Sequence, residues 1–175
     1  MSTLVSTAAE CRPVMQPVPA VIRSVVKETH DTFTLTVAPP QGDPVTAFEP
    51  GQFSMLYVFG VGELPISISG DPAVRETLTY TIRSVGQVTY QLVTRRPGEC
   101  IGVRGPFGTS WPLKEARGKS VLIVAGGIGL APLRPAIYSI LRHRGDYNRL
   151  VILYGSRSPR DLLYRKGFAA WGMLP

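Results

Sequence analysis

One stretch, residues 121–135, restricts the fold more than any other: it reads VLIVAGGIGLAPLRP. Five aliphatic or small apolar residues run into the closely spaced glycines Gly126, Gly127 and Gly129, and a helical pattern follows. A short, fully apolar run is typical of a strand inside a parallel sheet that is covered on both faces. Pro132 suits the first turn of a helix, where the amide that proline lacks would have no partner. The stretch therefore predicts a strand, a tight turn and a helix of an α/β layer.

The glycines stand at the carboxyl end of the predicted strand, which is where open α/β sheets bind ligands. Because glycine has no Cβ atom, a bulky group can approach the backbone closely. The positive end of the following helix would favour a diphosphate. The motif is not the usual GxGxxG, since no glycine stands three residues after Gly129. A tight turn without a ligand stays open as the alternative at this point.

The first two thirds of the chain have a different pattern. Phe33, Leu35 and Val37 alternate with threonines, which predicts a half-buried strand. Further short β segments are predicted in FSMLYVF, LPISIS, TLTYTIR and ECIGVRG, separated by glycine, proline and aspartate clusters. This spacing favours a small antiparallel barrel or sandwich up to about residue 113, with RGPFG (104–108) as a turn that closes it.

A change to alternating strands and helices after the charged segment KEARGK predicts an α/β layer. The predicted order is a leader at 1–19, an antiparallel β-barrel domain at 20–113, a connector at 114–119 and a Rossmann-like α/β domain at 120–175. Only two strands are predicted after residue 120, whereas open nucleotide-binding sheets have about five or six. We therefore expect the second domain to be truncated, as in a fragment, or completed by a partner; the former is favoured.

Composition limits the classes of function. Of the 175 residues, 44% are hydrophobic and 18% are charged, which is typical of a globular protein. The net charge of +7 should attract anions such as nucleotide phosphates. Without a stripe of basic and aromatic residues, nucleic-acid binding is not favoured. Two cysteines, Cys11 and Cys100, make neither a disulfide framework nor a four-ligand metal site. We expect no membrane span and a cytoplasmic location, since neither an eighteen-residue apolar run nor a signal-type apolar core occurs.

Four motifs in order, LPISIS, TIRSVGQVT, VRGPFG and GGIGLAPLRP, followed by YGSRSPRDLLY, resemble the ferredoxin–NADP reductase superfamily. They are most similar to the gamma, or diaphorase, subunits of cytoplasmic NiFe hydrogenases and sulfhydrogenases. The electron-transfer subunit of dihydroorotate dehydrogenase is a near relative in pattern. The resemblance extends from about residue 21 to the end of the sequence.

The resemblance implies FAD on the barrel and NAD(P) on the α/β half, with hydride transfer between nicotinamide C4 and flavin N5. Single electrons would then pass to hydrogenase or other iron–sulfur partner subunits. The cofactors carry such chemistry, so no catalytic side chain is expected. His30 and His143 are interpreted as surface residues. Relatives hold a 2Fe-2S cluster on a C-terminal group of cysteines, and this chain offers no ligands for one.

The flavin motif departs from the family pattern at Leu64, where an arginine usually pairs with the diphosphate, and at Ile66, where a tyrosine usually stacks on the ring. Arg83 could supply the missing cation, and its alternative is a solvated charge at a strand end. The segment VTYQLVT favours a strand by propensity, whereas the resemblance implies a helix that begins at 86–89 and receives the diphosphate; the helix is our prediction. For LPISIS the alternative is an ordinary strand with Ile66 and Ile68 in the core. The residues assigned to FAD are Pro65, Ile66, Ser67, Ile82, Arg83, Ser84, Gly86, Val88 and Thr89.

Residues on the α/β half would hold the nicotinamide nucleotide. They are Gly126, Gly127, Ile128, Gly129, Leu130, Ala131, Pro132, Gly155, Ser156 and Arg157. Arg157 or Arg160 could pair with a 2′-phosphate, which would favour NADP. The alternative is a basic loop capped by Ser158 before a helix that begins at Pro159, so NAD and NADP both stay open. A second hypothesis for the whole chain is a flavin-less docking module of a redox complex, consistent with Leu64 and Ile66.

Overall fold

The fold is that of a computed structural model, which describes residues 16–40, 45 and 47–172. Cys11 and most of the predicted leader lie outside the described residues. The first sheet begins at Val18, inside the range predicted for that leader. Cys100 has an exposed, free thiol.

Six antiparallel strands form the first half of the molecule. They are β1 (Val18–Lys27), β2 (Thr32–Ala38), β3 (Phe53–Val58), β4 (Gly62–Ser67), β5 (Leu78–Arg83) and β6 (Cys100–Phe107). Their order in the sheet is β4-β3-β6-β1-β2-β5. A single bridge between Ile68 and Tyr80 joins the two edges. The predicted antiparallel barrel is confirmed as a barrel-like sheet, although no continuous strand pairing between β4 and β5 closes it.

The β-branched segment after Gly86 is helical, as the family resemblance implied and propensity did not. Helix α1 (Gln87–Val93) packs Leu92 and Val93 into the barrel core. The prediction of a turn at 104–108 was wrong. Strand β6 instead runs to Phe107, because its pairing with β3 continues past a register shift. The strand includes a cis Gly105–Pro106 bond.

The second half is a two-stranded parallel sheet with helices on one face. Its elements are β7 (Val121–Gly126), a 3-10 turn (Gly127–Gly129), α2 (Leu130–Arg142), a 3-10 turn (Arg144–Asp146), β8 (Leu150–Gly155), a 3-10 turn (Pro159–Asp161) and α3 (Arg165–Gly172). The strands pair in register from Val121 with Leu150 to Gly126 with Gly155. The Rossmann-like order is confirmed, and the helix begins two residues before Pro132.

Among the described residues, this sheet has one buried face and one exposed face. Ile123 and Ala125 face α2 and are buried, whereas Leu122 and Val124 are 60% and 64% exposed. The single crossover from β7 to β8 passes on one side, so one face of the sheet has no covering element among the described residues. None of the helices in the described part of the chain has the length and apolar character needed to cross a membrane.

Candidate functional site

A cleft of about 410 Å³ lies between the two halves. The barrel contributes the turn between β1 and β2 and the end of β5; the α/β half contributes the carboxyl ends of both parallel strands. The lining residues are Thr29, Asp31, Thr32, Arg83, Gly126, Gly127, Ile128, Gly155, Ser156, Arg157, Asp161 and Leu163. Both sheets thus end at the same opening.

The wall formed by the β7–α2 turn is bare backbone. Gly127 has a φ of +50°, a conformation that favours glycine, and its carbonyl accepts a hydrogen bond from the Tyr154 hydroxyl at 3.1 Å. A Cβ atom added at Gly126, Gly127, Gly129 or Gly155 would meet nothing within 4 Å. The glycines therefore face open space rather than packed neighbours, and a ligand can approach the start of α2 closely.

The opposite wall carries an ion pair. Arg83 Nε donates to Asp31 Oδ2 at 2.6 Å, and the hydroxyls of Thr29 and Thr32 donate to Asp31 Oδ1 at 3.1 and 2.9 Å. Burial acts to raise the pKa of Asp31, but the hydrogen bonds from Arg83, Thr32 and Thr29 outweigh it and lower that pKa to about 2. The carboxylate is therefore charged and fixed at ordinary pH.

The rim beside β8 is polar and basic. Ser156 donates to the Ser158 carbonyl at 2.7 Å, and the Ser158 hydroxyl donates to Asp161 Oδ2 at 3.0 Å. The alternative from the sequence, a helix at Pro159 capped by the Ser158 side chain, is not formed: Ser158 makes no side-chain cap, and only a 3-10 turn follows directly. Arg157 lines the cleft and is exposed, and Arg160 is also exposed.

Polar contacts fix the two halves against each other. The Tyr164 hydroxyl donates to Thr81 Oγ1 of β5 at 2.6 Å, and the Tyr164 amide donates to Glu28 Oε2 at 3.3 Å. The Trp111 indole donates to the Pro132 carbonyl at 3.1 Å. Burial, the largest effect, raises the pKa of Tyr164 to about 12. These contacts hold the width of the cleft.

Tyr164 adopts a φ of +52°, which is unfavourable for a residue with a side chain. Its ring lies under the Arg134 guanidinium, 4.2 Å from the ring centroid, and its hydroxyl joins a buried group of polar side chains on the barrel. Thr81 Oγ1 lies 3.1 Å from Thr34 Oγ1 and 3.0 Å from Ser69 Oγ. The tertiary contacts thus offset the local cost of the backbone conformation.

The predicted cofactor residues fall into two groups. Those that line the cleft are Arg83, Gly126, Gly127, Ile128, Gly155, Ser156 and Arg157. Those that do not line it are Pro65, Ile66, Ser67, Ile82, Ser84, Gly86, Val88, Thr89, Gly129, Leu130, Ala131 and Pro132. Ile82, Leu130 and Ala131 have buried side chains, so contacts with a ligand would have to use their backbone atoms.

The predicted flavin strand and helix lie on the barrel outside the cleft. Ile66 and Val88 are half-buried against the barrel core, while Ile68 is fully inside it. The Thr89 hydroxyl accepts hydrogen bonds from the amides of Val85 and Gly86, at 3.0 and 2.9 Å. Thr89 therefore caps its own helix through its side chain, and its assigned role toward FAD stays a prediction.

Sequence reasoning missed five residues of the cleft lining: Thr29, Asp31, Thr32, Asp161 and Leu163. Thr29 and Asp31 lie in the short polar connection between β1 and β2, which has the sequence of an ordinary turn, and Thr32 begins β2. A signal was present in the two threonines that flank an aspartate, since such hydroxyls can hold a carboxylate. Both histidines, as predicted, are exposed. Across the ranges that the structure describes, no three His, Cys, Asp or Glu side chains are grouped as metal ligands would be.

This arrangement, an antiparallel barrel and a parallel layer meeting at a glycine-rich cleft, defines a class of two-domain nucleotide-binding proteins. A family model described as the oxidoreductase NAD-binding domain matches residues 123–173. These matches confirm the resemblance to the ferredoxin–NADP reductase superfamily that was found in the motifs.

Three known proteins illustrate the relationship. The gamma subunit of sulfhydrogenase 1 from Pyrococcus furiosus is 35% identical over 143 residues, 82% of this chain and 49% of that protein. A probable electron transfer subunit of NAD(+)-linked dihydroorotate dehydrogenase B from Methanocella arvoryzae is 36% identical over 123 residues, 69% of this chain and 42% of that protein. Phthalate dioxygenase reductase, a solved structure, shares the fold with a TM-score of 0.78 and 20% identity, covering 87% of this chain and 48% of that one.

The chain spans about half the length of the curated relatives it matches. Those relatives are named as subunits of a hydrogenase and of a dehydrogenase, and the reductase is described as transferring electrons from pyridine nucleotides to a 2Fe-2S group. The comparisons support flavin-linked electron transfer in this general form.

Proposed function

We propose that this chain binds FAD on the six-stranded half and a nicotinamide dinucleotide on the α/β half, and mediates electron transfer between them. The observation that carries the proposal is the cleft, in which the bare backbone of Gly126 and Gly127 faces Arg83 of the barrel. A glycine turn at a helix start and a guanidinium are both suited to phosphate. Two such features on opposite walls favour two phosphate-bearing ligands that meet there.

Each wall has a definite role in this proposal. The open space at Gly126, Gly127 and Gly129 fits the diphosphate of NAD(P), with the positive end of α2 behind it. Ser156 and Arg157 would contact the adenosine end, and Arg157 is suited to a 2′-phosphate. Arg83 would bind a phosphate group from the barrel side. The carboxylate of Asp31 keeps the Arg83 side chain at the cleft wall.

When bound, the flavin and the nicotinamide supply the hydride chemistry, and the protein supplies position and shielding from water. The contacts of Tyr164 and Trp111 across the halves would keep the two rings at a fixed separation. Pro65 and Ser67 on β4 would lie along the flavin, as the family resemblance implies.

The function of the whole protein is part of the same proposal. Electrons would pass onward to iron–sulfur subunits of a hydrogenase or a related redox complex, as the names of the relatives suggest. A 2Fe-2S cluster is expected in longer relatives rather than on these residues. The cytoplasmic location predicted from sequence is retained as part of the proposal.

A visible absorption spectrum of the purified 175-residue chain, reconstituted with FAD, tests the proposal. We expect a yellow protein with two flavin bands that bleach under anaerobic conditions when NADH or NADPH is added. Gly126→Leu should retain FAD but bleach at least about tenfold more slowly, since the new side chain fills the open space above β7. The matched control is Gly145→Leu, which also enters open space but lies outside the cleft.

A colourless protein that cannot be reconstituted would contradict this function. It would favour the second candidate, a flavin-less docking module. The observation that supports that candidate is the exposed apolar face formed by Leu122, Val124 and Leu153.

A further inference from the structure

Asp31 lines an open cleft, yet both of its carboxylate oxygens accept hydrogen bonds from the protein. Three donors from three residues reach its two oxygens: Arg83 Nε on Oδ2, and the hydroxyls of Thr29 and Thr32 on Oδ1. The backbone adds a further connection, because the Ser84 amide donates to the Asp31 carbonyl at 2.8 Å. The turn between β1 and β2 is therefore locked to the end of β5 at this point.

Arg83 uses only part of its hydrogen-bonding capacity in this pair. It is the last residue of β5, opposite Thr32 of β2, and its side chain is 41% exposed at the cleft. Asp31 is bonded to the inner nitrogen, Nε, and no described residue accepts a hydrogen bond from the two terminal nitrogens. Those two nitrogens form the fork that matches two phosphate oxygens.

The other charged groups around the cleft do not compete for this fork. Asp161 accepts from the Ser158 hydroxyl, and the His30 ring lies 3.7 Å from Asp161 and 3.6 Å from Asp31. Arg157 lines the opposite side of the cleft. The available donors of Arg83 are thus left for a ligand.

We propose that Asp31 is a positioning residue. It accepts a hydrogen bond from Arg83 Nε and so orients the guanidinium, with both terminal nitrogens directed at a phosphate group of a dinucleotide in the cleft. The inference rests on the proposed function and deepens it. A carboxylate beside an arginine would, by charge alone, weaken anion binding. Positioning has the opposite effect, because an arginine held in one geometry loses less freedom when the phosphate binds. The two effects therefore predict opposite signs when the carboxylate is removed.

The experiment measures dissociation constants for FAD and riboflavin by flavin fluorescence, and for NADPH by nucleotide fluorescence, on the purified chain. Asp31→Ala removes the acceptor that orients Arg83, and Asp31→Asn keeps an oxygen that can still accept a hydrogen bond from Arg83 Nε. Arg83→Gln removes the fork, and the double variant Asp31→Ala with Arg83→Gln tests whether the two act as one unit. Glu99→Ala is the matched control, since it breaks a comparable pair with Arg95 outside the cleft.

We expect Asp31→Ala and Arg83→Gln each to weaken binding of one phosphate-bearing dinucleotide by about tenfold, and the double variant to be no weaker than Arg83→Gln. Asp31→Asn should recover part of the loss. Riboflavin, which carries no phosphate, should change by less than about twofold, as should every ligand with Glu99→Ala. Loss confined to FAD identifies the flavin nucleotide as the source of the phosphate, and loss confined to NADPH identifies the nicotinamide nucleotide.

Three results would overturn the inference. Unchanged or tighter dinucleotide binding by Asp31→Ala would mean that the effect of Asp31 on affinity comes from its charge and not from positioning Arg83. The proposed function would still stand if the wild-type chain binds FAD. An equal loss for riboflavin and FAD means that Asp31 only supports the fold. A wild-type chain that binds neither dinucleotide refutes the proposed function and this inference with it.

Discussion

The two halves of the molecule bury the apolar residues of their strands to different extents. In the barrel, strand residues such as Leu35, Leu56 and Tyr80 are fully buried, because the sheet curves until its inner face covers itself. In the α/β half, Ile123 is buried under α2 while Leu122, the preceding residue, is 60% exposed. A curved antiparallel sheet can enclose a core alone, whereas a flat parallel layer needs helices on both faces. The barrel is therefore the self-sufficient half.

The cleft lies where these unequal halves meet. Its barrel wall is built from hydrogen-bonded side chains, whereas the part of its α/β wall formed by Gly126 and Gly127 is bare backbone. Contacts of Tyr164 with Thr81 of β5 and with Glu28 of the β1–β2 turn make the barrel a support for the less covered layer. The contrast between the halves can be tested by substitutions that have the same chemistry in each.

A large difference between the halves should come from truncating one leucine in each. Leu56→Ala in β3 should lower the free energy of unfolding by about 3 kcal/mol, because the side chain is fully buried in the barrel core. Leu153→Ala in β8, at 53% exposure, should cost less than about 0.5 kcal/mol. Urea denaturation followed by circular dichroism measures both, and equal losses would refute the contrast.

Tyr164→Phe should have the next largest effect, about 1.5 kcal/mol, since it removes a buried hydroxyl that joins α/β half and barrel and leaves Thr81 with one partner fewer. Tyr90→Phe is the control, because Tyr90 is 58% exposed on α1; it should change stability by less than about 0.5 kcal/mol. Thermal denaturation measures both variants. If Tyr164→Phe behaved like the control, the hydroxyl would not be what couples the halves.

Acid should weaken the barrel wall of the cleft. The pKa of Asp31 in the folded chain, about 2, lies below its ordinary value of 3.8. The stabilisation is therefore present above about pH 4 and is lost as the pH falls toward 2. Allowing for solvent screening of a partly exposed pair, it should amount to about 1 kcal/mol.

Urea titrations between pH 5 and 2 measure this contribution. Asp31→Asn should show a shallower loss of stability over that interval than the wild-type chain, because its side chain does not titrate. Parallel curves for the two proteins would mean that Asp31 contributes no acid sensitivity.

Local patterns predicted much of the fold. The alternation in TFTLTVA and the apolar run before Gly126 were interpreted correctly as strands, and the glycine turn was placed at the carboxyl end of β7. The helix at 87–93 was predicted only through family resemblance, because its β-branched residues favour a strand. The packing of Leu92 and Val93 into the barrel core stabilises the helix instead.

The remaining features depend on contacts between distant residues. Nothing local to Asp31 shows that Arg83 arrives 2.6 Å away, since that proximity comes from the long-range pairing of β2 with β5. An apolar strand looks the same whether one face or two are covered, so the pattern of residues 121–125 alone does not indicate the exposure of Leu122. The prediction of only two strands, by contrast, indicated an incomplete layer. The assignment of the individual cofactor residues stays a prediction.

A charged residue on the uncovered face should have the smallest effect on stability, and it tests the exposure of that face directly. Leu122→Lys should change the free energy of unfolding by less than about 0.5 kcal/mol, because the side chain stays in solvent. Ile123→Lys, one residue along the same strand, should be severely destabilising, since it would bury a charge at a position only 6% exposed. Leu122→Lys should also lower the binding of an apolar fluorescent dye, because it breaks the patch that Leu122 forms with Val124 and Leu153. Comparable destabilisation by both lysines would show that this face is covered in the folded chain, and the proposed asymmetry of the two halves would then be wrong.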